Sequence, residues 1–474
     1  MMRREQLYID GEWVEATGEG VIEVTNPATE EIIGSVPVGS SDDVDAAVSA
    51  ARAAFTDWSQ SSVEDRMAVL NGISGALKEH TEALAQCITA EVGTPIGYSR
   101  MAMVGTPRVV TRSYAKMLES FEWEEEVRNS LIVKEPIGVC AFITPWNFPL
   151  HQIIGKVAPA LAAGCTMVLK PSEVAPFSGY IWTEILDAAG VPAGVFNMVN
   201  GDGPTVGHAI SSHPEVDMVS ITGSTRAGIE VARAAAATVK RVAQELGGKS
   251  PNIILEDADL AAAVASGVAS MMRNSGQSCN APSRMFVPAE RMDEAIAIAK
   301  AAAESITVGD PRGDAQMGPV VSETQWKKIQ GLIQKGIAEG ATLVTGGVGR
   351  PDGLDKGYYV KPTVFAHVTN DMTIAREEIF GPVVSILGYD TLDQAIEVGN
   401  DTPYGLAAYV QGTDLDKVRD VARQLRAGQV TVNGAGPDMM APFGGFKQSG
   451  NGREWGDHAF GEFLETKAII GYGA

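Results

Sequence analysis

Cys279 sits in Gly276-Gln277-Ser278-Cys279-Asn280, a run of small and polar residues directly behind an apolar, Ala-rich stretch. A cysteine in such a loop can be accessible, and an accessible thiolate is a nucleophile. Glu245 opens Glu245-Leu246-Gly247-Gly248-Lys249 at the end of an expected strand. The glycines leave its carboxylate room to turn toward a cleft, and a glutamate whose pKa burial raises can act as general base. Asn147 lies in Thr144-Pro145-Trp146-Asn147-Phe148-Pro149. Two prolines fix the backbone there, and a rigidly held amide can donate to a developing oxyanion. Nucleophile, base and oxyanion donor are the parts of acyl-transfer chemistry. Each also has a plain reading: a buried cysteine, a solvated strand-end carboxylate, a strand-to-helix turn.

A second group of residues suits a nucleotide. Lys170 and Glu173, in Leu169-Lys170-Pro171-Ser172-Glu173, pair an amine with a carboxylate after a strand, a combination that fits ribose hydroxyls. Gly201-Asp202-Gly203 and Thr222-Gly223-Ser224-Thr225 each follow a strand and open a helix, whose free N–H groups bind phosphate. Neither is the standard GxGxxG fingerprint. Glu378 and Phe380 stand two residues apart, on one side of the chain if that segment is extended. There they would hold a second ribose and flank a nicotinamide ring. The competing readings are a surface ion pair, ordinary turns and an edge strand.

The elements that must position these residues follow from periodicity. Apolar strands at 137–143, 166–169, 195–199, 218–222 and 241–244 alternate with helices near 150–163, 177–189, 204–211 and 225–237. That rhythm predicts right-handed βαβ crossovers and a parallel sheet covered on both faces. Ligands bind such sheets at the carboxyl ends of the strands, where Trp146, Asn147, Lys170, Gly203 and Gly223 all fall. Residues 7–38 read as short strands, with a hairpin about Asp10-Gly11. A helix starts near the capping residues Ser41 and Asp42, and helix continues to about Thr111 with a break at Gly93-Thr94-Pro95. A second α/β segment runs from about 250 to 450, with a helix near 259–273 and strands near 253–255, 284–288, 383–388, 407–411 and 429–433. Residues 114–136 and 460–474 read as extended, and such extensions usually need a partner. The expected division is a cofactor-binding domain from 1–113 and 137–245, a catalytic domain at 246–450, and oligomerisation strands at 114–136 and 460–474.

Composition narrows the partners. A formal net charge of −22 repels phosphate backbones and anionic membranes, so no nucleic-acid or membrane partner is expected. The cysteines Cys87, Cys140, Cys165 and Cys279 form no CxxC pair, so they read as reduced thiols without a disulfide framework or metal site. The first three lie in or beside apolar segments and are expected in the core. Met1–Asp10 carries two arginines with no apolar run behind them, and no stretch of about 18 apolar residues exists. A cytoplasmic location is expected.

Taken in order, Pro145-Trp146-Asn147-Phe148-Pro149, Lys170-Pro171-Ser172-Glu173, Thr222-Gly223-Ser224, Glu245-Leu246-Gly247-Gly248-Lys249, Gly276-Gln277-Ser278-Cys279, Glu378-Ile379-Phe380-Gly381-Pro382 and Pro442-Phe443-Gly444-Gly445 resemble the aldehyde dehydrogenase superfamily. The resemblance runs from the Asn26-Pro27 turn to the C-terminal tail. It implies an α/β fold with a Rossmann-type cofactor domain, an α/β catalytic domain and a small β oligomerisation extension, in a homodimer or homotetramer. It also implies the roles. Cys279 would attack the aldehyde, and Asn147 with the Cys279 backbone N–H would hold the oxyanion. Glu245 would activate water for hydrolysis of the thioester. The cofactor-facing set would be Ile143, Thr144, Trp146, Lys170, Glu173, Gly203, Gly223, Ser224, Leu246, Glu378 and Phe380. Glu454, in Gly452-Arg453-Glu454, resembles a second carboxylate of a proton path.

Within that superfamily Glu245 favours water over coenzyme A as acyl acceptor. Glu173 favours NAD, with NADP as the alternative, because a carboxylate repels a ribose phosphate. The positions that shape the substrate pocket correspond to 98–103, Phe148, Gln152, Ser278, Asn280 and 437–443. Among them Met101, Met103, Phe148, Met439, Met440 and Phe443 are apolar, and Ala102 stands where semialdehyde enzymes would place an arginine. An uncharged aliphatic or aromatic aldehyde is expected. Arg100, Arg108 and Arg112 keep a semialdehyde as the alternative. The readings from other classes are a non-catalytic binding protein on the same fold and a cofactor-independent esterase.

Overall fold

A computed structural model describes residues 2–473. Five parallel strands form the centre of an eight-stranded sheet, in the order Arg241–Glu245, Met218–Thr222, Val139–Ile143, Thr166–Lys170 and Phe196–Met198. The chain starts at Val139–Ile143, winds outward through the next two strands, then returns to the other side. The strand order therefore reverses between Val139–Ile143 and Met218–Thr222, the kind of crevice where α/β sheets take ligands. The hairpin Gln6–Ile9 and Glu12–Glu15 closes one edge antiparallel, and Gly450–Asn451 closes the other beside Glu245. Asp10 and Gly11 both have positive φ, as a two-residue hairpin turn requires.

Alternation along the strands sorts side chains to two cores. Cys140 and Phe142 pack with the helix Pro149–Ala163, whereas Val139 and Ala141 pack with Val44, Ala47, Val48 and Ala51 of the helix Ser41–Trp58. Every residue of Pro149–Ala163 is buried, and Gly164 ends it in the left-handed conformation. Cys87, Cys140 and Cys165 are buried, as their surroundings predict.

A second sheet of seven strands has the order Thr342–Thr345, Thr363–Ala366, Val383–Tyr389, Arg284–Pro288, Pro251–Ile254, Ala407–Gln411 and Gln429–Val432, parallel except at Thr342–Thr345. Only residues 246–250 separate Glu245, at the end of the first sheet, from Pro251 in the second. A third, small sheet pairs Glu124–Val127, Ser130–Pro136 and Leu464–Ile470.

Several expectations need correction. Helix Ser41–Trp58 is capped by Ser40, whose hydroxyl accepts from Asp42 and Asp43, so the cap precedes the expected pair. Residues 114–118 are not extended but complete the helix Gly105–Leu118, and 460–463 are helical because Phe460 and Phe463 are buried in the core. The helix expected at 204–211 begins as a π-turn over Gly203–Gly207. Phe380 has φ +57, so 378–380 is not an extended segment and its side chains do not share one face. The strands Thr342–Thr345 and Thr363–Ala366 carried too little apolar pattern to be anticipated.

Candidate active site

Helix Leu260–Met272, capped where Asp259 accepts from the Ala262 N–H, carries the chain toward the seam between the two large sheets. The next residues bend sharply: Asn274, Ser275 and Gly276 have φ of +50, +56 and +72. A side chain at Gly276 would meet the Gly381 carbonyl at 2.2 Å, so only glycine fits. The turn presents Cys279, half-buried, while Gln277 is locked behind it: its Oε1 accepts from Val321 and its Nε2 donates to the Asn274 carbonyl. Ser278 donates to the Asn280 amide oxygen at 2.7 Å.

Asn147 is buried at the start of Pro149–Ala163, and its Nδ2 donates to the Gln277 carbonyl at 3.1 Å. One amide proton is thereby anchored beside the nucleophile loop. The other has no protein acceptor among the described residues.

Glu245 is 4% exposed, and neither carboxylate oxygen has a hydrogen-bond partner among the described residues. Burial, and next the charge of Glu454, push its pKa well above the usual carboxylate range, against the pull of Lys156 and Arg453. Two glycines after it allow close approach. A Cβ on Gly248 would lie 2.2 Å from the Cys279 carbonyl oxygen, and one on Gly247 would lie 2.6 Å from Glu378 Oε2. Behind Glu245, Lys156 donates to Thr222 Oγ1 at 2.8 Å and pairs with Glu454, which backbone hydrogen bonds to Phe443 hold in place. Glu245, Lys156 and Glu454 line a narrow, partly open cleft together with Glu462.

The nucleotide-type residues gather at the carboxyl ends of the first sheet. Lys170 bonds to Glu173 at 3.1 Å, and the Thr144 N–H bonds to the Lys170 carbonyl. Thr144 Oγ1 is buried without a hydrogen-bond partner among the described residues. Ile143 is half-buried at its strand end, and Leu246 is buried against Gly228. Gly223 leads into Ser224, which caps the helix Thr225–Ala235 by accepting from Ala227. At Gly203 the helix end already holds an anion, since Asp202 accepts from the Thr205 N–H. Glu378 accepts from the Gly248 N–H at 2.9 Å, and the Phe380 ring meets Trp146 edge-on at 5.4 Å.

The thiol of Cys279 is raised above its ordinary pKa, first by burial and then by the carboxylates of Glu378, Glu245 and Glu454. A cationic group entering the site would reverse that balance. Around the pocket, Tyr98, Phe148, His151, Trp455 and Phe443 form a chain of ring contacts, with centroids 6.5, 6.5, 5.1 and 4.7 Å apart in that order. His151 is held neutral, pushed down to about 4 by burial and next by Lys156. Of the residues expected at the pocket, Met103 is fully buried in the core, and Arg100 is committed to Glu82 at 2.8 Å. His151, Lys156, Asn274 and Trp455 were not singled out from the sequence. A lone lysine in a wholly buried helix was the one available signal, because a buried charge needs a partner.

The model of the aldehyde dehydrogenase family matches residues 13–469. The chain belongs to the aldehyde dehydrogenase family. Among curated members it is 54% identical over 471 residues to the 3-succinoylsemialdehyde-pyridine dehydrogenase of a Pseudomonas species, covering 98% of each chain. Among solved members it resembles a mutant of aldehyde dehydrogenase C from Pseudomonas syringae in complex with NAD+ and octanal, with TM-score 0.98, 52% identity and 99% and 97% of the two chains covered. It also resembles betaine aldehyde dehydrogenase from Staphylococcus aureus in complex with NAD+, with TM-score 0.96, 39% identity and 99% and 96% covered. The fold is the aldehyde dehydrogenase fold, as the order of motifs implied.

Proposed function

We propose that the protein oxidises an aldehyde to the carboxylic acid with NAD, through a thiohemiacetal and a thioester on Cys279 that Glu245 helps to hydrolyse. The observation that carries this reading is convergence: Asn147 is bonded to the backbone of the nucleophile loop, and the segment after Glu245 packs directly on the Cys279 carbonyl. The residues fit a dinucleotide. Glu173 and Glu378 supply carboxylates for ribose hydroxyls, Ser224 lies at a helix N-terminus, and Thr144 Oγ1 is a buried polar atom without a hydrogen-bond partner among the described residues. When bound, NAD supplies the hydride acceptor.

Cys279 Sγ, having lost its proton to solvent, adds as the thiolate to the aldehyde carbon, and the free Asn147 amide proton and the Cys279 N–H receive the oxyanion. Removing one such donor costs about 100-fold or more in rate. After oxidation the thioester remains, and Glu245 takes a proton from the attacking water. Lys156 and Glu454 then adjust the charge behind it. Glu173 supports NAD over NADP.

The pocket residues Phe148, Phe443, Trp455 and half-exposed Met440 support an uncharged aliphatic or aromatic aldehyde. A semialdehyde is the second reading, supported by the name of the Pseudomonas relative and by Arg108 and Arg112, which are exposed and form no ion pair among the described residues. The proposed division assigns the first sheet to cofactor binding, the second to the nucleophile and the third to assembly as a homodimer or homotetramer. Among the described residues no helix is long and apolar enough to cross a membrane. The location proposed, on composition, is the cytoplasm.

The test is absorbance at 340 nm with NAD across aliphatic aldehydes, aromatic aldehydes and semialdehydes, for wild type and Cys279→Ala. Reduction by wild type alone is the expected result. No reduction of NAD or NADP with any aldehyde overturns the proposal, and faster turnover of succinate semialdehyde than of hexanal overturns the uncharged substrate.

A further inference from the structure

Asn274 is buried and takes no part in the chemistry outlined above, yet with Gln277 it is the most hydrogen-bonded residue of the Cys279 loop. Its Oδ1 accepts from Thr94 Oγ1 at 2.7 Å. Its Nδ2 donates to the Asn147 carbonyl at 3.0 Å and to the Gln277 carbonyl at 3.3 Å. Its own carbonyl accepts from both the backbone N–H and the side-chain Nε2 of Gln277, each at 3.1 Å. The backbone that allows this is left-handed, at φ +50 and ψ +33. Asparagine is among the few residues with a side chain that tolerate that region.

These bonds close a ring. Asn147 Nδ2 donates to Gln277 O, Gln277 O also accepts from Asn274 Nδ2, and Asn274 Nδ2 returns to Asn147 O. Asn147 is thus gripped at both its side chain and its backbone by a loop that ends two residues later in Cys279. Thr94 fixes the ring from outside, at the break after the helix Thr81–Val92. Both polar side-chain atoms of Asn274 are hydrogen-bonded, so its orientation is determined, and through it that of the Asn147 amide.

We infer that Asn274 is a positioning residue for the oxyanion site: it sets the distance and angle between the Asn147 amide and Cys279. The inference rests on the proposed aldehyde oxidation. Misplacement of a catalytic group by about 1 Å costs on the order of 100-fold in rate, and Asn274 holds that placement without touching the reacting atoms.

The test separates positioning from general stability by a double-mutant cycle. Asn274→Gly keeps the left-handed backbone but removes the side chain. Thr94→Val removes the outer anchor and serves if the glycine variant does not fold. The expected result for either is a kcat lowered between about 10- and 100-fold, KM for the aldehyde within about twofold, and a primary isotope effect with the 1-deuterated aldehyde larger than in wild type. In an Asn147→Ala background the same substitution should cost almost nothing further, because the amide it positions is gone. A cost that is equal in both backgrounds, or a loss confined to KM or to thermal stability, overturns the inference. A wild type that oxidises no aldehyde overturns the proposed function instead, so the two failures are distinguishable.

Discussion

Lys156 and Glu454 form an ion pair that is almost wholly removed from water, directly behind the Glu245 carboxylate, which has no hydrogen-bond partner among the described residues. The pair belongs to two distant parts of the chain, one in the buried helix Pro149–Ala163 and the other after the strand Gly450–Asn451. Its two charges act on Glu245 in opposite directions: Glu454 raises its pKa and Lys156 lowers it.

The sign of a pH effect follows. In the proposed reaction Glu245 works as a base only after losing its proton, so hydrolysis of the thioester should accelerate as pH rises through its elevated pKa. Glu454→Gln removes a negative neighbour. The rising limb of the kcat profile should then move to lower pH. A limb that moves to higher pH, or stays in place, would separate Glu454 from the base.

Removing the base itself has a different signature. Glu245→Gln should leave acylation intact, giving a burst of about one NADH per active site, followed by a steady rate about 100- to 10,000-fold lower. Stopped-flow absorbance at 340 nm checks this. A lowered burst would place Glu245 in the first half of the reaction.

Close packing at the seam makes a steric prediction. Gly248→Ala drives a Cβ into the Cys279 carbonyl oxygen, at 2.2 Å before relaxation. Neither backbone can yield cheaply, so kcat should fall by about 100-fold. Gly75→Ala is the control, since that exposed helical glycine has nothing within 4 Å and alanine is favoured there by about 1 kcal/mol. It should raise the thermal midpoint and leave kcat unchanged.

Glu91 is fully buried, where it accepts from the N–H groups of Phe177 and Ser178, and burial pushes it up to about 7. A carboxyl raised from 4.5 binds more protons folded than unfolded between those values. Stability from this group is therefore complete below about pH 4.5 and declines as pH rises to about 7. The total is about 3 kcal/mol. Denaturation of Glu91→Gln across that window should show a shallower decline than wild type, and a parallel decline would reassign the effect.

The sequence made the sheet that carries the proposed cofactor residues readable, because buried parallel strands leave continuous apolar runs and their ends are marked by glycine, proline and lysine. Cys279, Glu245 and Asn147 were legible for the same reason: each stands at a marked end. Phe380 was misplaced because a left-handed residue leaves no periodic trace. Trp455 and Lys156 escaped because what defines them is a neighbour about 300 residues away. Asn274 carries no mark in the sequence, and only its three side-chain bonds distinguish it.

The short link between Glu245 and Pro251, one of two passages of the chain between the large sheets, has a final consequence. Glu245 and Asn147 are held by one sheet and Cys279 by the other, so the groups proposed to react meet only while both bodies are docked. Partial separation would leave each sheet and its helices intact. In mild denaturant, turnover should therefore vanish before helical circular dichroism changes, and it should return as quickly as the halves close again.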